Sequence, residues 1–173
     1  MAVLPIFLYP ELILREKSLP VRTIDAGIVS LIEDMSETMR AAPGVGLAAP
    51  QIGVSQRIIV IDTNACGRDQ GVLALINPRI LSSEGTQNGE EGCLSIPDFR
   101  AEVTRAAKIE VVGRERDGSE VVIFADGLFA RVLQHEIDHL DGILFLDRLG
   151  KAQRDLLKRK LKKTLTKQTA QRV

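Results

Sequence analysis

The only two histidines of the chain stand four residues apart in "QHEIDHLDG", Gln134 to Gly142, and Glu136 directly follows the first of them. On a helix this spacing puts His135 and His139 one turn apart on one face, where two imidazole nitrogens can clamp a divalent ion. The neighbouring carboxylate can then serve as general base toward a water that the ion activates. The same short pattern arises by chance in long helices, so its surroundings decide its meaning. A metal held by two histidines normally needs a third protein ligand, and no third histidine exists here. One zincin pattern continues with glycine three residues on and histidine three beyond. Gly142 is in place, but Phe145 stands where that histidine would be.

The remaining donors are carboxylates and two cysteines. Asp147 directly follows "ILFL", which reads as a packed segment. Cys66 lies in "DTNACGRDQG", a polar, turn-like stretch, and reads as structural or merely exposed. Cys93 lies in "NGEEGCLSIP" beside Gly92, where a substrate backbone can come close. A thiolate is a strong partner for two histidines, so Cys93 is the favoured third ligand. Three other arrangements stay open at this point. One is a zinc peptidase of another lineage that uses Asp147 or a later carboxylate such as Asp155. A second is a closed structural site with Cys66 as fourth ligand. The third is a cysteine hydrolase built on Cys93. A further stretch, "GVGLAAPQIG" from Gly44 to Gly53, lacks the Gly-Lys-Ser/Thr of a phosphate loop. Its glycines allow close backbone approach, and the Gln51 amide can donate to a developing oxyanion.

These residues must be held by regular elements. "ADGLFARVLQHEIDHLDG" reads as one helix, with Asp126 as N-cap and Gly142 as its left-handed end. Leu128, Val132, His135 and His139 share a stripe, and Phe129, Leu133 and Leu140 form an apolar stripe beside it. Arg131, Gln134, Asp138 and Asp141 collect on the remaining side, with Arg105 a candidate partner for Asp138. Most of the circumference is apolar or metal-binding, so the helix should be largely buried. An earlier helix is expected in "IDAGIVSLIEDMSETMRAA", where Ile28, Leu31, Ile32, Met35 and Met39 have helical spacing before Pro43 and Gly44. "RIIVID" and "VLALINP" read as buried strands, and "KIEVVGRERDGSEVVIFADG" as a hairpin turning at Asp117-Gly118. The order of helix, strands, helix, helix is α+β: short antiparallel and mixed sheets around a buried metal-binding helix.

Composition sets outer bounds. A chain of 173 residues suffices for one domain with a core, built here mostly from aliphatic residues because only six are aromatic. No 18-residue apolar run suggests a membrane span. The N-terminus, interrupted by Pro5 and Pro10 and lacking early Lys or Arg, does not read as a signal peptide. Two cysteines without such a signal point to free thiols in a reducing, cytoplasmic setting. The zero net charge is unevenly spread. Residues 151–173 carry nine Lys/Arg and one Asp, or +8, against fourteen Lys/Arg and twenty-two Asp/Glu, or −8, in 1–150. We therefore divide the single domain into a catalytic body, 1–150, and a basic C-terminal helix, 151–173. Leu156, Leu157, Leu161 and Leu165 would pack that helix. Lys158, Arg159, Lys160, Lys162, Lys163 and Lys167 would face a polyanion, with no sequence-specific reading of nucleic acid.

Together, "GVGLAAPQIG", "EEGCLSIP" and "QHEIDHLDG" stand in the order and approximate spacing of the three motifs of the peptide deformylases, and the chain resembles that family over nearly its whole length. The resemblance implies a hydrolase that removes the formyl group from the N-terminal methionine of nascent proteins. It implies Cys93, His135 and His139 as metal ligands and Glu136 as general acid/base. Gln51 and the Leu94 N–H would stabilise the oxyanion. The backbone around Val45, Gly46 and Gly92 would bind the peptide as an extended strand. Leu128 and Val132, on the metal stripe, are candidates to line the methionine pocket. The ion expected for the family is ferrous iron, with zinc, nickel or cobalt as substitutes. Co-translational work would make the ribosome the partner of the basic tail.

Overall fold

The computed structural model describes residues 2–170, with side chains to Lys163. Five strands form one antiparallel sheet: β1 (Gly46–Ala48), β2 (Ile58–Asp62), β3 (Val72–Glu84), β6 (Lys108–Arg114) and β7 (Glu120–Asp126), in that order across the sheet. Two more, β4 (Gln87–Cys93) and β5 (Ile96–Arg105), make a separate antiparallel hairpin. Leu19 and Gln56 add an isolated parallel bridge. The helices are α1 (Ala26–Ala41), α2 (Gly127–Leu140) and α3 (Lys151–Ala170).

The sheet is covered on both faces, which explains why "IIVI" is apolar throughout. Ile59 and Ile61 join Leu75, Val111 and Ala125 against Phe129, Ala130, Leu133 and Ile137 of α2. Ile58 and Val60 face the other way, against Ile28, Ile32, Met35 and Met39 of α1. Alternation along one strand thus feeds two cores. The expected α1 stripe is the buried one, and Asp25 caps the helix by accepting from the Ile28 N–H at 3.0 Å. The expected hairpin also forms, with Gly118 at φ 88 in its turn and Arg114 opposite Glu120.

A third cluster joins the β4–β5 hairpin to the C-terminal region. Ile96 and Val103 pack with Leu14, Leu144, Phe145, Leu146 and Leu149, and with Leu157 and Leu161 of α3. Leu156 stays half-exposed, because a helix presents only one face to its seat. Leu165 and Lys167 lie outside the described side chains. Lys158, Arg159, Lys160, Lys162 and Lys163 are on the exposed side. Among the described residues no helix is long and apolar enough to cross a membrane.

One feature differs from expectation, and two details were not anticipated. Asp126 occupies the N-cap position of α2, but its side chain makes no cap hydrogen bond. It pairs instead with Arg68 at 3.2 Å. The side of α2 bearing Arg131, Gln134 and Asp138 is buried, in keeping with the largely buried helix expected, and the charged and polar partners that cover it come from β4, β5 and Ala106. β4 escapes a reading by periodicity, since "QNGEEGC" carries two glycines and no alternating apolar residues.

Gly142 closes α2 at φ 70, as expected, and it faces a second constraint. A Cβ there would lie 2.4 Å from the carbonyl oxygen of Arg15. Gly142→Ala should therefore lower unfolding stability by about 2 kcal/mol or more, since left-handed strain and a backbone clash add. Urea unfolding measures this, and a loss within about 0.5 kcal/mol, typical of surface changes, would contradict it.

Candidate active site

α2 carries three of the candidate side chains, and the sheet and hairpin press the others against it. His135, Glu136 and His139 are all buried on the helix. Cys93 ends β4 at an irregularity in the hairpin register, between Gly92 and Cys93. Its Sγ lies 3.2 Å from His139 Nε2, which is 3.3 Å from His135 Nε2. The three donor atoms lie within 4.8 Å of one another, the sole such group of ligating side chains among the described residues. Gln51 approaches from the turn Ala49–Ile52. Its Oε1 accepts from the Ala48 N–H at 2.8 Å, which aims Nε2 at Cys93 Sγ, 3.5 Å away, and at Ser95 Oγ, 3.1 Å away.

Behind the two histidines lies a carboxylate that periodicity alone does not reveal. Glu91 is buried in β4, two residues before Cys93. Its Oε2 lies 2.9 Å from His135 Nδ1. Arg105 of β5 donates to both carboxylate oxygens at 2.9 Å, and Arg131 of α2 donates to Oε1 at 2.8 Å. Burial would raise the pKa of Glu91, but the hydrogen bonds from Arg105 and His135 outweigh it and hold the group at about 2. An ionised Glu91 fixes the proton on His135 Nδ1 and turns Nε2 toward Cys93 and His139. Arg105 also reaches Asp138, the pairing anticipated from sequence. A signal for Glu91 was present: a carboxylate two residues from the favoured ligand, in a strand that must face the metal helix.

Glu136 points the other way, toward β1. A Cβ on Gly46 would sit 2.4 Å from Glu136 Oε1, so only glycine fits there. Glu136 Oε2 is buried without a protein hydrogen-bond partner. Burial, with Glu91 adding to it, pushes its pKa up to about 7. His139, by contrast, is held neutral: burial and the neighbouring His135 push its pKa down.

The donor set fits a divalent ion. Tetrahedral coordination, with bonds of about 2.0–2.1 Å to nitrogen and 2.3 Å to sulfur, separates ligand atoms by roughly 3.3–3.6 Å. The observed 3.2 and 3.3 Å contacts lie close to that span. Cys93, Glu91 and Glu136 also crowd acidic groups around His135, and a cation at their centre meets that electrostatic demand.

The site opens into a cleft of about 550 Å³. Val45, Gly46, Gln51, Gly92, Cys93, Leu94, Leu128, Val132, His135 and Glu136 line it, so all but one of the sequence-derived site residues share one cavity. His139 sits behind its floor, 1% exposed. Leu94 follows Cys93 in the turn between β4 and β5. Leu128 is half-exposed on the wall, and Val132 is partly buried in the core under the sheet. The alternative ligands lie elsewhere. Asp147 is engaged by Arg15 and accepts from the Leu144 N–H at 2.9 Å. Cys66, in the turn Asn64–Cys66, packs against the core beneath α2, where burial raises its thiol pKa.

Known proteins resemble this chain in sequence and fold. A family model described as polypeptide deformylase matches residues 3–155. A peptide deformylase of Syntrophobacter fumaroxidans is 50% identical over 98% of this chain and 100% of its own. One of Rhizobium meliloti is 49% identical over 94% of each chain. The crystal structure of a peptide deformylase from Legionella pneumophila superposes with a TM-score of 0.88 at 45% identity, covering 97% of this chain and 98% of that one. One from Ehrlichia chaffeensis, in complex with actinonin, gives 0.86 at 40% identity over 95% and 98%. The chain belongs to the polypeptide deformylase family, metal-dependent enzymes that remove the formyl group from the N-terminal methionine of new proteins.

Proposed function

We propose that the cleft hydrolyses the formyl amide of formyl-methionyl chains with Cys93, His135 and His139 as metal ligands and Glu136 as general acid/base. The observation that carries this reading is the convergence of those three donors beside a buried, unpartnered carboxylate with a pKa near 7. A divalent ion on these ligands supplies Lewis acidity and a water acidic enough to react near neutral pH. Ferrous iron is our assignment for it, with zinc, nickel or cobalt able to take its place, since all accept thiolate and imidazole.

The remaining steps belong to the protein. Glu136 takes the proton of the attacking water on a carboxylate oxygen and passes it to the leaving amine nitrogen. Its pKa suits both directions near neutrality. Gln51 Nε2, held by the Ala48 contact, and the Leu94 N–H point donors at the formyl oxygen as it gains charge. β1 is the edge strand of its sheet and lies across the cleft from β4. The peptide would enter extended between Val45–Gly46 and Gly92, as an added strand. Leu128 and Val132 would bound the slot for the methionine side chain.

We assign the chemistry to 1–150 and treat 151–173 as a basic helix of the same domain. The setting is the cytoplasm, where formylated chains emerge. The exposed Lys158, Arg159 and Lys163, opposed to the buried Leu157 and Leu161, suit contact with a polyanion such as the ribosome.

Glu136→Gln should keep the ion and lose at least about a hundredfold in turnover on a formyl-Met peptide, because the amide preserves shape but cannot take the proton. Metal content and formate release measure this together, and near-parental turnover would refute the base assignment. Cys93→Ser should lose metal, whereas Cys66→Ser should leave metal content and activity within about twofold of the parent. Metal loss from the Cys66 variant would revive the closed site. Reversing Lys158, Arg159 and Lys163 to Glu should abolish low-salt co-sedimentation with ribosomes and spare hydrolysis of short peptides. Truncation is the poorer test, because it would uncover the seat of Leu157 and Leu161. Unchanged co-sedimentation would remove the tail from the function.

A further inference from the structure

We propose that Arg148 is a positioning residue for the metal centre, acting on His135 through Asp138, Arg105 and Glu91; this rests on the reading of His135 as a metal ligand. Arg148 is the last residue of the turn Phe145–Arg148 before α3, its side chain is partly exposed, and neither it nor its partner Asp138 lines the cleft. Its guanidinium nevertheless forks onto a buried carboxylate. Nε donates to Asp138 Oδ2 at 3.0 Å, and Nη2 donates to Oδ1. Arg105 Nη1 donates to the same Asp138 Oδ2. The other two nitrogens of Arg105 hold both oxygens of Glu91, whose Oε2 meets His135 Nδ1.

Charge explains why the outermost member matters. Glu91 and Asp138 are two buried carboxylates that share one buried guanidinium, Arg105. Glu91 has Arg131 as a second cation, and Asp138 has Arg148. Without Arg148, Asp138 would rely on Arg105 alone. A buried charge stripped of one partner is costly, and the nearest relief is a shift of Arg105 toward Asp138. That shift loosens the fork on Glu91 and with it the hydrogen bond that orients the His135 ring. The segment bearing Arg148 touches the centre a second time, since Phe145 stacks on the His135 imidazole with centroids 6.3 Å apart. The stretch 145–148 therefore sets both the tilt of that ring and the charge behind it.

The test uses the full chain loaded with zinc, follows zinc loss into excess chelator, and measures kcat and KM on a formyl-Met peptide. Arg148→Ala should speed zinc loss by about tenfold, the lower range for partners of metal ligands, and lower kcat with KM unchanged. Arg148→Lys, which keeps the charge but not the fork, should fall between. Asp138→Asn removes the competing carboxylate, so adding Arg148→Ala to it should change zinc loss by less than about twofold. Thermal unfolding of each variant separates plain destabilisation from loss of position. Parental zinc retention and kcat in Arg148→Ala, whatever its stability, would overturn the proposal. An equal effect of Arg148→Ala in the parent and in Asp138→Asn would overturn it too. A parent chain that holds no zinc would overturn both this inference and the metal reading, whereas one tightly held zinc with an indifferent Arg148 would overturn this inference alone.

Discussion

The Glu91 carboxylate is the point on which the site's geometry depends. It is buried, ionised, and met by four hydrogen bonds from three side chains on two other elements: Arg105 of β5, and Arg131 and His135 of α2. Left alone it would be among the most costly groups in the fold. Paired as it is, it joins β4, β5 and α2, because satisfying it requires all three to be in place. Arg131 extends the same tie, donating to the carbonyls of Val103 at 2.9 Å and Gln87 at 3.1 Å. The hairpin that delivers Cys93 is thus held to the histidine helix by charge as much as by apolar contact. The imidazole that must face the thiol is turned by the same carboxylate.

The two acidic groups next to His135 are shifted in opposite directions because their surroundings differ. Glu91 has cations on its oxygens and stays ionised. Glu136, one residue from His135, is buried with no protein partner on Oε2 and lies against the bare backbone of Gly46, and its pKa rises to about 7. An orienting group must keep its charge at working pH, whereas a proton carrier must hold and release a proton there. Burial supplies the second property and guanidinium pairing supplies the first. Gly46 makes the closeness possible, since any side chain at that position would occupy the space of Glu136.

Much of this was legible in the residues. The histidine spacing, the lack of a third histidine and the placement of Cys93 beside Gly92 singled out the three donors that converge. The apolar periods of α1 and the run in β2 marked the two cores flanking the sheet, and Asp117-Gly118 marked its last hairpin. What remained hidden depended on contacts distant in sequence. Asp126 stands at the right position to cap α2, yet Arg68, from a loop far upstream, takes its carboxylate. The polar side of α2 named no cover, because Arg131, Gln134 and Asp138 give no local sign of the hairpin that packs on them. Glu91 and Arg105 become partners only when β4 pairs with β5, and β4 shows no apolar period that would mark it as a strand.

The central claim is that one divalent ion on Cys93, His135 and His139 is needed for removal of the formyl group. The most direct measurement is formate release from a formyl-Met peptide by protein purified without oxygen, with metal content determined on the same sample. The account predicts one ion per chain, loss of formate release when a chelator removes it, and recovery when a divalent ion is returned. Formate release that persists undiminished in metal-free protein would contradict it.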